Sequence, residues 1–80
     1  MELVKLTEFL VKNIVKNPDM ISVKQYDDEE FITIEVLVSS DDMGAVIGKG
    51  GMIANSIRTL IQASAHANNL GKVKVNFESF

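Results

Sequence analysis

The chain reads as one α+β domain of element order α-β-β-α-α-β, with a three-stranded mixed sheet covered on one face by three helices. Three observations carry that reading. Apolar side chains recur at helical spacing over residues 3–16 and again over 52–68. They alternate at strand spacing over 31–38 and 73–77. A glycine-lysine-glycine-glycine turn separates two helix-forming segments. Eighty residues, 46% of them apolar, suffice for a single core, and residues 1–80 are expected to form one domain without a deep catalytic cavity.

The first helix is expected over residues 3–16. Leu3, Leu6, Leu10 and Ile14, flanked by Val4, Val11 and Val15, make one broad apolar face opposite Lys5, Glu8, Lys12 and Lys16. Lys16 would complement the dipole in the last turn, and Asn17-Pro18-Asp19 would stop the helix. Strands are expected over 20–26 and 31–38. In the second, Ile32, Ile34, Val36 and Val38 share one face, and the acidic run Asp27-Asp28-Glu29-Glu30 between them is a solvated hairpin loop. Ser39-Ser40-Asp41-Asp42 supplies a helix cap and first-turn carboxylates for a short helix ending at Ile47, with Gly48 leaving it in a left-handed conformation. From Met52 to Asn68 the helical pattern returns, with Ile53, Ile57, Leu60, Ile61, Ser64 and Ala67 on one side. Asn68-Asn69-Leu70-Gly71 ends it, and Val73, Val75 and Phe77 alternate as the last strand. A hairpin followed by a strand that returns through a helical crossover gives the mixed sheet.

Composition removes several function classes. Without cysteine there is no disulfide, thiolate nucleophile or thiolate-bound metal. Charge arrives at Glu2 and Lys5, too early for a signal peptide, and no uncharged stretch approaches a membrane span, so the expected address is the cytoplasm. Net charge is −3, which as a global average opposes nucleic-acid binding. The distribution is uneven: no Asp or Glu falls between Ala45 and Phe77, where Lys49, Arg58, Lys72 and Lys74 lie. The C-terminal half is therefore expected to be a basic surface joined to an acidic one.

The most specific stretch is Val46-Ile47-Gly48-Lys49-Gly50-Gly51. Three missing β-carbons expose backbone N–H groups beside one cation, and the following helix adds its positive dipole end. Such a turn suits a phosphate. The expected ligand is a nucleic-acid backbone, RNA foremost with single-stranded DNA left open, held without chemistry being done on it.

This order of elements, with that loop between the two central helices, resembles the K-homology (KH) domain in its type II arrangement. Asn17-Pro18-Asp19 and Asp41-Asp42-Met43-Gly44 are similar to the small stand-alone bacterial KH proteins called KhpA. The resemblance covers essentially the whole chain. It implies single-stranded RNA binding, with Gly48, Lys49, Gly50 and Gly51 clamping the backbone while about four nucleotides lie in a groove. Val46, Ile47, Ile53 and Ile57, with Val36 or Val38, are the expected aliphatic walls, and Arg58 reaches a phosphate or base edge. No aromatic platform lies near the loop, so sequence discrimination should be modest. The resemblance also implies a homodimer, or a heterodimer with a KhpB-like partner, in post-transcriptional regulation or RNA chaperoning linked to cell elongation and envelope synthesis. For the dimer contact, Ile61 and Ala65 at the margin of the core stripe are candidates.

Other chemistries fit poorly. Gly44 to Gly50 approaches a nucleotide-binding P-loop but has one residue too few between glycines and no Ser or Thr after Lys49. His66 is the sole histidine and has no partner at ligand spacing, and Asp27–Glu30 lacks the spacing of a calcium loop. No cofactor, metal or catalytic residue is expected. The alternative is a protein-interaction domain in which the glycine loop is idle.

Overall fold

The computed structural model describes residues 2–80. The elements are α1 (Leu3–Lys12), β1 (Ile21–Asp27), β2 (Phe31–Val38), a 3-10 turn (Ser40–Asp42) running into α2 (Met43–Ile47), a second 3-10 turn (Lys49–Gly51), α3 (Met52–Ala67) and β3 (Lys72–Ser79). The sheet order is β1-β2-β3. β1 pairs antiparallel with β2 (Ile21 opposite Val38), and β3 pairs parallel with it (Val75 opposite Ile34). The α+β order α-β-β-α-α-β and mixed sheet are those of a type II KH fold.

β2 takes the centre because its alternation is the cleanest in the chain. Ile34, Val36 and Val38 are fully buried, and with Val75 they meet Leu3 and Val11 of α1, Val46 of α2, and Ile57, Ile61 and Ala65 of α3. Burying a Val, Leu or Ile side chain stabilises by about 1.5–3 kcal/mol, so this cluster dominates stability. Thr7 belongs to the same interior. Its hydroxyl donates to the Leu3 carbonyl at 2.8 Å, which satisfies a polar group that the apolar stripe did not include.

Two expectations about helices are corrected. α1 ends at Lys12, four residues before Lys16, and Lys12 is the basic residue of its last turn. The Asn13 side-chain amide donates to the Phe9 carbonyl at 2.6 Å, and the chain leaves the helix there. Farther on, the Lys16 and Asn17 N–H groups donate to the Asp42 carboxylate instead of to α1. α3 is also rotated from the expected phase. Its buried stripe is Ala54, Ile57, Ile61 and Ala65, while Leu60 (52% exposed) and Ile53 (38% exposed) lie outside it. Small Ala54 and Ala65 at either end of the stripe allow close packing. Ile61 and Ala65 are fully buried and cannot form a dimer contact.

Candidate nucleic-acid interface

The glycine loop joins α2 to α3 through a backbone that few residues other than glycine can follow. Gly48 has φ 76° and ψ 172°, a region open essentially to glycine, rather than the left-handed helical conformation expected of it. A Cβ there would also lie 2.9 Å from the Ile53 Cβ, so Gly48 is required twice over. Gly50 (φ 64°, ψ 18°) and Gly51 (φ 79°, ψ 11°) are left-handed. A Cβ on Gly50 would meet open space.

This path determines which amides are free. The Gly48 N–H donates to the Gly44 carbonyl at 2.9 Å, and the Gly51 N–H to the Gly48 carbonyl at 3.1 Å. The N–H groups of Lys49 and Gly50 have no acceptor among the described residues. Lys49 itself is exposed. Two free donors beside an ammonium, at the mouth of a 16-residue helix, form a local anion site.

The neighbouring acids do not spoil it. Asp42, expected as a first-turn carboxylate, is buried and turned inward. It accepts from the Lys16 N–H (3.0 Å), the Asn17 N–H (3.1 Å) and the Asn17 side-chain amide (3.1 Å). Chiefly the Lys16 N–H bond, with help from Asn17 and against the effect of burial, holds its carboxyl below the ordinary value. The carboxylate thereby fixes the start of α2, and so the loop that follows it. Ser39 is the cap as expected, its hydroxyl accepting from the Asp41 N–H at 3.3 Å.

Of the expected walls, the structure brings Ile47 and Ile53 to the loop: Ile47 is partly buried, and Ile53 packs on Gly48 while 38% exposed. Val46 is corrected. It is fully buried, as are Val36 and Val38, and Ile57 is nearly so, so these residues support the groove from within. Arg58 is held by its neighbours: Nε donates to the Val75 carbonyl at 3.1 Å, Nη1 donates to Asn55 Oδ1 at 3.0 Å, and the guanidinium sits 5.2 Å from the centre of the Phe77 ring. It remains exposed, about two turns beyond Gly51.

The sequence reading missed Gln62. Its amide donates to the Gly71 carbonyl (3.0 Å), and its Oε1 accepts from the Val73 N–H (2.8 Å). Arg58 and Gln62, four residues apart on α3, thus occupy the outer edge of β3 together. The expected continuous basic surface is also corrected. Lys72 and Lys74 stand in register with Phe31 and Thr33 on the helix-free side of the sheet, Lys74 Nζ lying 4.1 Å from the Phe31 ring centre. The local cations of the loop are Lys49 and Arg58. On the outer side of α3, Asn55, Ser56, Thr59 and Leu60 line an open depression of about 400 Å³. Among the described residues no helix is long and apolar enough to cross a membrane, and no three His, Cys, Asp or Glu side chains are grouped to hold a metal.

The architecture recurs in solved structures. Over 96% of this chain and 29% of the other, it is similar to Era in complex with MgGDPNP and nucleotides 1506–1542 of 16S ribosomal RNA (TM-score 0.68, 15% identity). It is also similar to a point variant of Aquifex aeolicus Era bound to GDP·AlF4⁻ (TM-score 0.73, 13% identity, 98% and 30% of the two chains). This chain therefore spans less than a third of those proteins, and the likeness concerns the fold alone. Sequence relatives match at greater identity. The "RNA-binding protein KhpA" of Clostridium perfringens is 43% identical over 65 residues, 81% of this chain and 87% of that one. The protein of the same name in Caldanaerobacter subterraneus is 44% identical over 61 residues (76% and 81%), and that of Mycobacterium tuberculosis 45% over 58 residues (72% of each). The family described as KhpA/KhpB, KH domain, matches residues 4–77, from α1 through the glycine loop to Phe77 of β3. With that span and those identities, the chain belongs to the KhpA/KhpB family of KH domains.

Proposed function

We propose that residues 1–80 act as a single KH domain that binds single-stranded RNA and carries out no reaction on it. The observation that carries this reading is the pair of free N–H groups at Lys49 and Gly50, set beside the Lys49 ammonium where a 16-residue helix begins. Phosphate is the group those donors fit. Gly48, Gly50 and Gly51 keep the loop bare, Ile47 and Ile53 offer apolar contact to base faces, and Arg58 supplies a remaining guanidinium N–H about two turns away. Val46 supports this surface from beneath. The names of the relatives favour RNA over single-stranded DNA.

So small a contact binds weakly alone, so a second domain is part of the proposal, since linked sites raise apparent affinity by up to about 10²–10⁴. That second domain is another copy of this chain or a KhpB-like protein. The cytoplasm is the proposed location, and post-transcriptional regulation or RNA chaperoning in cell elongation and envelope synthesis the proposed role.

A second reading, a protein-interaction domain with an idle loop, is favoured by one observation: Met52 (70% exposed) and Leu60 (52% exposed) present apolar surface on α3. Heteronuclear NMR titration with short single-stranded RNA separates the two. The RNA reading expects shifts in the amides of residues 46–58 that disappear in Lys49→Asp. An unchanged wild-type spectrum replaces it with the interaction reading.

A further inference from the structure

On β2, Ile34, Val36 and Val38 are buried beneath the helices, so Phe31, Thr33 and Glu35, of the other parity, point to the opposite face of the sheet. The register carries Lys24 and Tyr26 of β1 and Lys72 and Lys74 of β3 onto that same face. Tyr26 stands opposite Thr33, and Thr33 beside Lys74; Phe31 stands beside Lys72, and Lys24 opposite Glu35. Against three lysines the strands present Glu35 and Glu78 there, so this face is net positive in a chain of net charge −3.

The two aromatic rings have different surroundings. Phe31 is partly buried and holds the Lys74 ammonium 4.1 Å from its ring centre, which fixes a cation in place on the sheet. Tyr26 is 51% exposed, a broad ring left open two strands away from Lys74, about 10 Å across the short side chain of Thr33. An open ring suits a nucleobase, and a fixed ammonium suits the phosphate that follows it. A route also joins this face to the glycine loop. Arg58, on the loop side, bonds the Val75 carbonyl at the outer edge of β3, and the next residue toward the N-terminus, Lys74, projects from the other side of that strand. Lys49, Arg58 and Lys74 thus mark successive cations from the loop round the edge of the sheet. The acidic turn Asp27–Glu30 borders the face beyond Tyr26 and Phe31 and repels a polyanion, so a strand enters across β3 and not over the hairpin.

We propose that the helix-free face of the sheet is a second contact surface for single-stranded RNA, with Tyr26 stacking a base and Lys72 and Lys74 meeting phosphates. It is used by the part of the strand that runs beyond the glycine loop and round the edge of β3. This rests on the reading of Gly48–Gly51 as the clamp. The pairing of an open aromatic ring with lysines favours nucleic acid over an acidic protein segment, which would use the lysines but not the ring.

The test is a heteronuclear NMR titration of the whole chain with single-stranded RNA of randomised sequence in two lengths, about 4 and about 12 nucleotides, and with a poly-glutamate peptide. Tyr26 is the only tyrosine, so its ring signals report on the face directly. Short RNA should shift amides of residues 46–58 alone, whereas long RNA should also shift the Tyr26 ring and the Thr33 and Lys74 amides. The double variant Lys72→Gln with Lys74→Gln should bind short RNA as wild type does, bind long RNA about fivefold more weakly, and flatten the log–log salt slope for long RNA by about 1.4. Long RNA that shifts residues 46–58 but not Tyr26 and Lys74 overturns the second surface and leaves the clamp standing. A double variant that binds both lengths as wild type does the same. Poly-glutamate that shifts the Tyr26 ring as strongly as RNA makes the occupant an acidic protein segment and overturns the RNA assignment. If neither RNA shifts residues 46–58, the clamp reading falls and this inference with it.

Discussion

The Asp42 carboxylate accepts both the backbone N–H and the side-chain amide of Asn17, each at 3.1 Å, across 25 residues of sequence. It ties the segment after α1 to the start of α2. A buried acceptor with three donors is costly to lose, since each N–H would then be left without a partner.

Asp42→Asn should therefore lower Tm at neutral pH, measured by thermal denaturation. Because the folded-state pKa of Asp42 lies below the ordinary 3.8, its contribution is present above that value. It is lost as pH falls from the ordinary value through the depressed one. Wild type should lose stability across that acid window, and Asp42→Asn should lose less there. Parallel pH profiles for the two proteins would refute the assignment.

Lys49→Asp should abolish most RNA affinity and leave Tm nearly unchanged, because Lys49 is exposed. With two or three phosphate contacts, wild-type binding should show a log–log salt slope of roughly −1.5 to −2. A slope near zero would mean that the amides and ammonium do not meet phosphate.

Gly48 and Gly50 should respond unequally to substitution. Gly48→Ala meets Ile53 and a disallowed backbone, costing about 2 kcal/mol or more. In a domain of this size each 1 kcal/mol lowers Tm by about 4–8 °C. Gly50→Asn, with open space and a left-handed backbone that asparagine tolerates, should cost well under half of that. Comparable losses at both positions would contradict the loop conformation.

Leu60→Glu should leave Tm within about 0.5 kcal/mol equivalent of wild type, because the side chain is half exposed. If α3 is the self-association face, the variant should sediment as a monomer at concentrations where wild type is dimeric. A dimer unaffected by Leu60→Glu would place the contact elsewhere.

Much of this fold was readable in the residues alone. The alternation of β2, the hairpin at the acidic run and the bare turn before α3 are all local signals, and each stands where its pattern put it. The departures have non-local causes. α1 stops early although Pro18 was the visible breaker, and the donors beyond it belong to Asp42, distant in sequence. The phase of α3 was ambiguous because Ile53, Ile57, Leu60 and Ile61 are apolar over a wide arc, and only contact with the sheet and α1 selects Ala54 and Ala65 instead. Val46 sits beside the loop in sequence but points into the core, a direction set by five residues of helix. Gln62 carried no signal at all, since its partners, Gly71 and Val73, lie across a turn.

The grip of Arg58 and Gln62 on Gly71, Val73 and Val75 has a consequence for how the molecule behaves in a crowd. A stray β-ribbon arriving at that margin finds the Val73 N–H and the Gly71 and Val75 carbonyls already occupied, and must evict a guanidinium and an amide to reach them. This small protein thereby guards one side of its sheet with side chains from its longest helix.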